Sequence, residues 1–297
     1  MAKPVPEWST EMQEVADGVF AYVQATGGFC IANAGLIVGP DGAVAIDALF
    51  TPSMTRAFQE QIRRRTSKPV RQLINTHHHV DHTLGNEHFT DIDIIGHIRC
   101  REQIERVGVP RERLNVMAPH FADDIAASGI RPPNLTFADR LTLFLGDRRI
   151  ELMHLGTGHT VDDVLVYLPE EKLLFAGDVA FHYVTPLAFE GHISGWIRMI
   201  DAIEAMEVET IVPGHGPVGD TSDLREMRDY LALIRREARR GFQEGAPQEE
   251  VVRRIKLGRF SQWGEPERLI PNVHRLYQEF RGEIDQPMDL SLAGPRA

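Results

Sequence analysis

The sequence has little of what holds together a small secreted protein or anchors a protein in a membrane. Its 297 residues include two cysteines, Cys30 and Cys100, without the paired spacing of a zinc finger. We therefore expect free thiols in a reducing compartment. The first fifteen residues lack the apolar run of a signal peptide, and no stretch approaches the ~20 apolar residues of a spanning helix. These absences predict a cytoplasmic protein without a membrane partner.

The chain is also short of positive charge. It has 32 basic and 43 acidic side chains, which gives a formal net charge of −11. Binding to a phosphate backbone depends on neutralisation by lysine and arginine, so this balance disfavours nucleic acid as a partner. The hydrophobic content of 42% and the charged content of 25% are those of an ordinary globular protein with a large core. A small molecule is the expected substrate.

What the sequence does have is histidine, concentrated at one point. Residues 75–82 read Asn-Thr-His-His-His-Val-Asp-His, with four imidazoles and one carboxylate within six residues. Imidazole and carboxylate groups are common ligands of zinc and similar ions. The preceding run VRQLINT predicts a buried strand, which places the cluster on a loop at a strand end. Alternate residues of such a loop point the same way, so we expect His77 and His79 to converge while His78 turns aside.

Further motifs accompany this cluster in a fixed order. VAIDAL with Asp47 precedes it, and Gly-His-Thr with His159, LLFAGD with Asp178 and IVPGHG with His215 follow it. Together with His-x-His-x-Asp-His, these motifs resemble the signature of the metallo-β-lactamase superfamily, from about residue 30 to residue 216. The resemblance implies an α/β fold, a four-layer αβ/βα sandwich of two sheets with helices on the outer faces.

The resemblance also implies a dinuclear metal site. One ion would be bound by His77, His79 and His159, the other by Asp81, His82 and His215, with Asp178 bridging both. Two divalent ions are therefore the expected cofactors, Zn²⁺ first, with Mn²⁺ or Fe²⁺ also possible ions. A metal-bound hydroxide between ions roughly 3.5–4 Å apart would be the nucleophile, and Asp81 and Asp178 would be the catalytic carboxylates.

The expected function is hydrolysis of a carbonyl substrate, which can be an ester, thioester, lactone or lactam. An aspartate at the position of Asp178 resembles the bridging residue of glyoxalase II-type thioesterases and of lactonases. Zinc β-lactamases typically have cysteine or serine at that position. Three different activities remain open: a phosphodiesterase, a true β-lactamase, and an oxidoreductase similar to the persulfide dioxygenases, which use a single iron. The substrate pocket is expected to include Phe181, His182 and Tyr183, with contributions from residues 104–136 and Trp263.

The chain is expected to form a single domain over residues 1–297. Short apolar runs alternate with helical stretches over a core of about residues 17–220. No Gly/Ser/Pro-rich linker marks a second domain. The pattern of residues 221–297 predicts a helical extension that flanks or caps the site and offers a surface for a homodimer.

Overall fold

The structure is a computed structural model, and it describes residues 4–284 of the chain. Two β-sheets of seven and five strands form its centre. The first sheet follows chain order: β1 (Glu11–Ala16), β2 (Val19–Val23), β3 (Ala34–Val38), β4 (Ala43–Ile46), β5 (Val70–Ile74), β6 (Asp93–His97) and β7 (Leu135–Phe137). Strands β1 to β4 pair in antiparallel fashion, and β4 to β7 pair in parallel.

The second sheet has the order β12-β11-β10-β9-β8. Its strands are β8 (Arg140–Leu145), β9 (Arg148–Met153), β10 (Leu165–Leu168), β11 (Leu173–Phe181) and β12 (Thr210–His215). The helices are α1 (Pro52–Arg65), α2 (Val80–Thr83), α3 (Ile98–Val107), α4 (Arg111–Met117), α5 (Ala122–Ala127), α6 (Ile193–Glu204), α7 (Thr221–Gln243), α8 (Gln248–Arg254) and α9 (Leu269–Arg281). Strands β11 and β12 are parallel, and α6 is the crossover that such a pair requires.

The period of two along the strands builds the layers. In β2, alternate residues such as Ala21 belong to the core between the two sheets, which also contains Ile74 of β5 and Phe175 of β11. The intervening residues face outwards, and Tyr22 stacks on Phe58 of α1 with ring centroids 5.3 Å apart. Because both faces of the strand are covered, all five of its residues are buried.

The outer helices complete the sandwich. Helix α1 begins after Thr51, whose hydroxyl accepts a hydrogen bond from the backbone N–H of Met54 at 3.2 Å. On the opposite side, α6 and α7 bury Trp196 and Leu231 against the second sheet. The layers are helix, sheet, sheet and helix, which confirms the fold expected from the sequence, including helices after the core.

Some parts of the chain differ from the sequence-based expectation. Strand β1 pairs at the edge of the first sheet, although its sequence EMQEVA gave no strand signal. The segment 104–136, for most of which the sequence predicted no secondary structure, contains the end of α3, α4, α5 and the start of β7. Residues 1–3 and 285–297, which belong to the expected domain and its extension, lie outside the described residues. Both cysteines are free and buried, and no described helix has the length and apolar character needed to cross a membrane.

Candidate metal centre

The predicted ligands come from strand ends that meet at one edge of the sandwich. From the first sheet, Asp47 follows β4 directly, and residues 77–82 follow β5. From the second sheet, His159 lies in the loop between β9 and β10, Asp178 lies in β11, and His215 is the last residue of β12. Carboxyl ends of parallel strands are the usual position for a ligand site in an open α/β sheet.

One group of candidate ligand atoms lies around Oδ2 of Asp178. His77, His79, His159 and Asp178 each offer an atom, and these atoms lie within 4.8 Å of one another. Nε2 of His159 lies 2.9 Å from Nδ1 of His79 and 3.2 Å from Oδ2 of Asp178, and Nε2 of His77 lies 3.9 Å from the same oxygen. His78 turns away from this group, as the alternation along the loop predicts.

A second group lies on the other side of Asp178. Asp81, His82 and His215 also converge within 4.8 Å. Nε2 of His82 is 3.0 Å from Oδ1 of Asp178. Nε2 of His215 is 3.4 Å from Oδ2 of Asp178 and 3.4 Å from Oδ2 of Asp81. The structure therefore brings all seven predicted ligand residues together, with Asp178 between the two groups.

Several of these buried atoms lack a hydrogen-bond partner among the described residues. They are Nε2 of His77, Nε2 of His82 and Oδ1 of Asp178. His82 and Asp178 approach each other to 3.0 Å without the angles of a hydrogen bond. Buried polar atoms of folded proteins almost always have a partner, and coordination of a cation would give these three atoms one. The cluster fits a metal site.

Hydrogen bonds behind the ligands fix which imidazole nitrogen faces the cluster. Nδ1 of His82 donates to Oδ2 of Asp47 at 2.8 Å, and Nδ1 of His215 donates to the carbonyl of Gly27 at 3.0 Å. Nδ1 of His77 lies 3.1 Å from the Thr76 hydroxyl, which itself donates to Asp47. In each case Nδ1 is engaged, so Nε2 is the ring nitrogen that faces the cluster.

His79 is held the other way round. Its Nε2 donates to Oε1 of Glu190 at 2.6 Å, so Nδ1 faces the cluster. Glu190 also lies 2.9 Å from Nε2 of His78, whose Nδ1 is hydrogen-bonded to Asp162 at 2.7 Å. Burial lowers the pKa of His78, but the carboxylates of Asp162 and Glu190 outweigh it and raise that pKa to about 10. His78 is thus a cationic link between the buried Asp162 and the half-buried Glu190.

The imidazoles around Asp178 set its charge state. Burial alone raises the pKa of this carboxyl, but the charges of His215, His82 and His159 hold it well below the usual value. Burial lowers the pKa of His79 to about 4, so that side chain is neutral at physiological pH. An ionised carboxylate and neutral imidazoles are the forms that bind divalent cations.

A cavity of about 210 Å³ opens above the cluster, and His79, Asp81, His159, Asp178 and His215 contribute to its surface. Most of its wall is apolar. The apolar side chains come from the connection between β2 and β3, from the cluster loop, from the 104–136 segment and from the segment after β11, and they include Phe29, Val80, Leu84, Leu114, Met117, Leu187 and Phe189. Three arginines also line it, at positions 106, 113 and 268. A polar floor beneath apolar walls is the common form of a small-molecule site.

The structure separates the three residues predicted for the substrate pocket. Phe181 lines the cavity and stacks on His215 with ring centroids 4.9 Å apart and planes at 4°. His182 and Tyr183 are not among the residues that line it. His182 is hydrogen-bonded to the carbonyl of Pro217, and the Tyr183 hydroxyl donates to Asp223, because the backbone turns at the end of β11.

Among the described residues after β12, Arg268 is the one that lines the cavity. Trp263 instead packs against Tyr230 and Phe260, with ring centroids 5.7 and 4.9 Å away. Sequence reasoning did not single out Glu190 or Asp162. A glutamate twelve residues beyond Asp178 has no fixed spacing to the histidine motif, so only the packed structure reveals that it contacts His78 and His79.

The motifs that build this centre define a protein family. The family model of the metallo-beta-lactamase superfamily matches residues 27–215, and the chain belongs to that superfamily. The matched range contains every residue of the two ligand groups.

Curated relatives with different activities share this similarity. A linear primary-alkylsulfatase from Pseudomonas sp. is 22% identical over 263 residues, which cover 75% of this chain and 49% of that protein. The 2,4-dinitroanisole O-demethylase subunit alpha of Nocardioides sp. is 25% identical, covering 71% and 60%. The type 2 metallo-beta-lactamase of Elizabethkingia meningoseptica is 23% identical, covering 75% and 85%. The chain thus spans about half the length of the alkylsulfatase.

Solved structures agree on the fold. The stereoselective inverting sec-alkylsulfatase from Pseudomonas sp. matches with a TM-score of 0.73 at 18% identity, covering 97% of this chain and 52% of that chain. The metallo-beta-lactamase from Pontibacter korlensis matches with a TM-score of 0.61 at 22% identity, covering 75% and 98%. The alkylsulfatase match therefore extends over a larger part of this chain than the lactamase match does.

Proposed function

We propose that this protein is a dinuclear metal-dependent hydrolase that acts on an ester, thioester or lactone with an apolar acyl part. The observation that carries the proposal is the position of Asp178. One of its oxygens lies 3.0 Å from His82 and the other lies 3.2 Å from His159, at the floor of a mostly apolar cavity. A carboxylate shared in this way holds two cations close together.

The proposed ligand assignment follows the two groups. His77, His79 and His159 would hold one divalent ion, Asp81, His82 and His215 would hold the other, and Asp178 would contribute to both. Nitrogen and oxygen ligands of this kind suit Zn²⁺, and they also accept Mn²⁺ or Fe²⁺. When bound, the two ions lower the pKa of a shared water and polarise the bond under attack.

The protein's own contribution is to fix protons and exclude solvent. Asp47 keeps the proton of His82 on Nδ1, and Glu190 keeps the proton of His79 on Nε2. Each of these two hydrogen bonds therefore selects the ring nitrogen that faces the cluster. The walls contributed by Leu114 and Phe189 keep bulk water away from the reacting group, which strengthens electrostatic interactions inside.

The cavity supports a substrate with an apolar tail. Phe189, Leu114 and Met117 offer dispersion contacts to a hydrocarbon, and each methylene bound changes transition-state binding by about 1–3 kcal/mol. The Arg113 guanidinium lies 5.5 Å from the centre of the Phe189 ring, on the cavity wall. A negative group on the substrate, such as a free carboxylate, is the partner that this charge favours.

Hydrolysis of an alkyl sulfate ester is the second candidate. What favours it is the match of 97% of this chain, including the helices after the core, to a sec-alkylsulfatase. The same cavity accommodates an alkyl chain, and its arginines suit a sulfate. The fold alone does not choose between carbonyl and sulfate esters.

Three further activities have less support. A persulfide dioxygenase-like reaction uses one iron, whereas this chain brings together ligands for two ions. A true zinc β-lactamase resembles this chain in fold, but Asp178 stands where such enzymes typically have cysteine or serine. A phosphodiesterase would use the same two ions, and its substrate distinguishes it only in an assay.

A substrate panel on the metal-analysed protein tests the proposal. The metal content of the protein as purified is measured first, and oxygen consumption is followed with a persulfide. The protein is then loaded with Zn²⁺, and kcat/KM is compared for a medium-chain thioester, an aliphatic ester, a lactone, a β-lactam, a phosphodiester and an alkyl sulfate. We expect two ions per chain and the highest kcat/KM on a carbonyl ester, lost with a chelator and restored by Zn²⁺. The Asp178→Ala variant controls for contaminating hydrolases. One iron per chain with oxygen consumption on a persulfide, or preference for the alkyl sulfate, would overturn it.

A further inference from the structure

The segment between β11 and α6, residues 182–192, carries two side chains to the ligand His79. The ring of Phe189 stacks on the imidazole with centroids 4.7 Å apart and planes at 24°. Oε1 of Glu190 accepts the hydrogen bond from Nε2 at 2.6 Å. A neutral imidazole has one N–H, so this contact decides that Nδ1 carries the lone pair. The ligand geometry of His79 therefore depends on where this segment lies.

Helix α9 fastens the segment with polar side chains. Arg268 directly precedes the helix, and Asn272 and Arg275 follow at spacings of four and three residues, which place all three on one face. Their exposed fractions are 4%, 0% and 2%. A helix that only packs on a core would use apolar residues here, because burying polar and charged groups costs free energy unless each finds a partner.

The partners of the first two side chains are backbone groups of the segment. Nη1 of Arg268 donates to the carbonyl of Thr185 at 2.9 Å. Nδ2 of Asn272 donates to the carbonyl of Pro186 at 2.8 Å, and Oδ1 of the same amide accepts from the N–H of Ala188 at 2.8 Å. Asn272 thus bonds to both sides of the turn that leads to Phe189.

Arg275 holds the other end of the segment. Its Nε and Nη2 both donate to the carbonyl of Gly191, at 3.0 and 2.6 Å. Gly191 follows Glu190 directly and has φ of 74°, and a Cβ there would lie 2.2 Å from the carbonyl oxygen of His159. The backbone around Glu190 is therefore held between the loop that carries His159 and helix α9.

We propose that α9 supports the metal centre through the segment 182–192. Asn272 and Arg275 position Glu190, and Glu190 in turn determines which nitrogen of His79 coordinates the metal. These are positioning residues, since their side chains act through His79. The inference rests on the proposed metal site, and it assigns to the C-terminal extension a role in metal affinity rather than in substrate contact alone.

The test is metal affinity measured by competition with a chromophoric chelator, using Zn²⁺ alone. Glu190→Ala should weaken one of the two sites by about 10–100-fold and leave the other within about threefold. Arg275→Leu should weaken the same site in the same direction. Arg275→Lys retains one donor for the Gly191 carbonyl and should fall between Arg275→Leu and wild type. Arg281→Leu is the matched control, because Arg281 lies on α9 but is exposed and pairs with Glu283.

The outcomes separate the inference from the proposed function. Wild-type protein that binds fewer than two ions contradicts the dinuclear site itself. Wild-type protein that binds two ions, with unchanged affinities in Glu190→Ala and Arg275→Lys, overturns only the role of α9. Equal losses in Arg275→Leu and Arg281→Leu, or equal weakening of both sites in Glu190→Ala, would show general destabilisation and would also overturn it. Arg275→Lys and Glu190→Ala keep the test decisive if Arg275→Leu does not fold.

Discussion

The carboxylate of Asp47 serves Thr76 and His82 at once. Oδ1 accepts from the Thr76 N–H at 2.8 Å, and Oδ2 accepts from the Thr76 hydroxyl at 2.7 Å and from Nδ1 of His82 at 2.8 Å. Asp47 is 2% exposed and adopts φ of 57°, a left-handed conformation that asparagine also tolerates. One buried acid therefore fixes the start of the ligand loop and one of its ligands.

Asp47→Asn should weaken metal binding without changing the backbone. An amide has one accepting oxygen, so it must turn its NH₂ group towards a donor, and either Thr76 or His82 loses its partner. We expect about 10–100-fold lower affinity at the site that contains His82. Asp91→Asn is the control, because Asp91 is exposed and has nearly the same φ, 59°. Isothermal titration with Zn²⁺ measures both, and comparable affinity losses in the two variants would contradict the assignment.

Asp178→Ala should remove the bridge while the fold survives. Without the shared carboxylate the two cations repel each other, so metal content should fall from two ions towards one and kcat by at least about 10²-fold. The sandwich core is independent of this residue, and far-ultraviolet circular dichroism should not change. Asp201→Ala, on the exposed face of α6, is the control. Retention of two ions and near wild-type turnover in Asp178→Ala would rule out the bridging role.

Metal binding should release protons, and the metal-free protein should lose stability at alkaline pH. Burial lowers the pKa of His215, but the carboxylates of Asp178 and Asp81 outweigh it and raise that pKa to about 9 from 6.5. A cation must displace this proton, so Zn²⁺ affinity should rise by about tenfold per pH unit per proton between pH 7 and 9. Titrations in buffers of different ionisation enthalpy count the protons released.

The sign for stability follows from the same shift. The folded state binds this proton more tightly than the unfolded state, so the stabilisation is complete below about pH 6.5 and is lost as pH rises through about 9. Thermal unfolding of metal-free protein should therefore show a falling melting temperature over this range. Replacement of His215 by glutamine should flatten the profile. A profile equally steep in that variant would assign the effect to other groups.

Gly191→Ala should lower the free energy of unfolding far more than the same change at Gly282, another glycine with a left-handed backbone. The new Cβ would lie 2.2 Å from the His159 carbonyl oxygen, which cannot move without displacing a ligand. Gly282 has nearly the same φ, 76°, but no atom of residues 4–284 lies within 4 Å of its Cβ position. We expect about 1–2 kcal/mol for Gly282→Ala from backbone strain alone and a larger loss for Gly191→Ala. Urea unfolding compares them, and similar losses would show that the contact with His159 is unimportant.

The residues that were predictable from sequence are those whose signal is local. His77 and His79 follow a strand signal and share a short motif, and the outer helices have clear apolar periodicity. Glu190 and Asp162 lack such a signal, because they reach His78 and His79 only after the two sheets have packed. The prediction that His182 and Tyr183 line the cavity with Phe181 was wrong for a related reason. Beyond Phe181 the backbone turns, and Tyr183 has φ of 60°.

Strand β1 was not predicted because its own sequence carries little strand signal. Its sequence EMQEVA is half polar and becomes a strand only because β2 offers an open edge with which to pair. The contacts of α9 with residues 185–191 are likewise invisible in the sequence. They join positions more than 80 residues apart, and no periodic pattern encodes which backbone carbonyls a buried arginine reaches.

The ligands are divided between the two halves of the chain. Of the proposed ligands, His77, His79, Asp81 and His82 belong to the half that builds the first sheet, whereas His159, Asp178 and His215 belong to the half that builds the second. The chain passes between the halves once, through the short connection from β7 to β8. A polypeptide cut at that connection would consist of two fragments, neither of which contains a complete ligand group. Metal binding would then measure reassociation of the fragments, because each ligand group is completed only when the two fragments pack together.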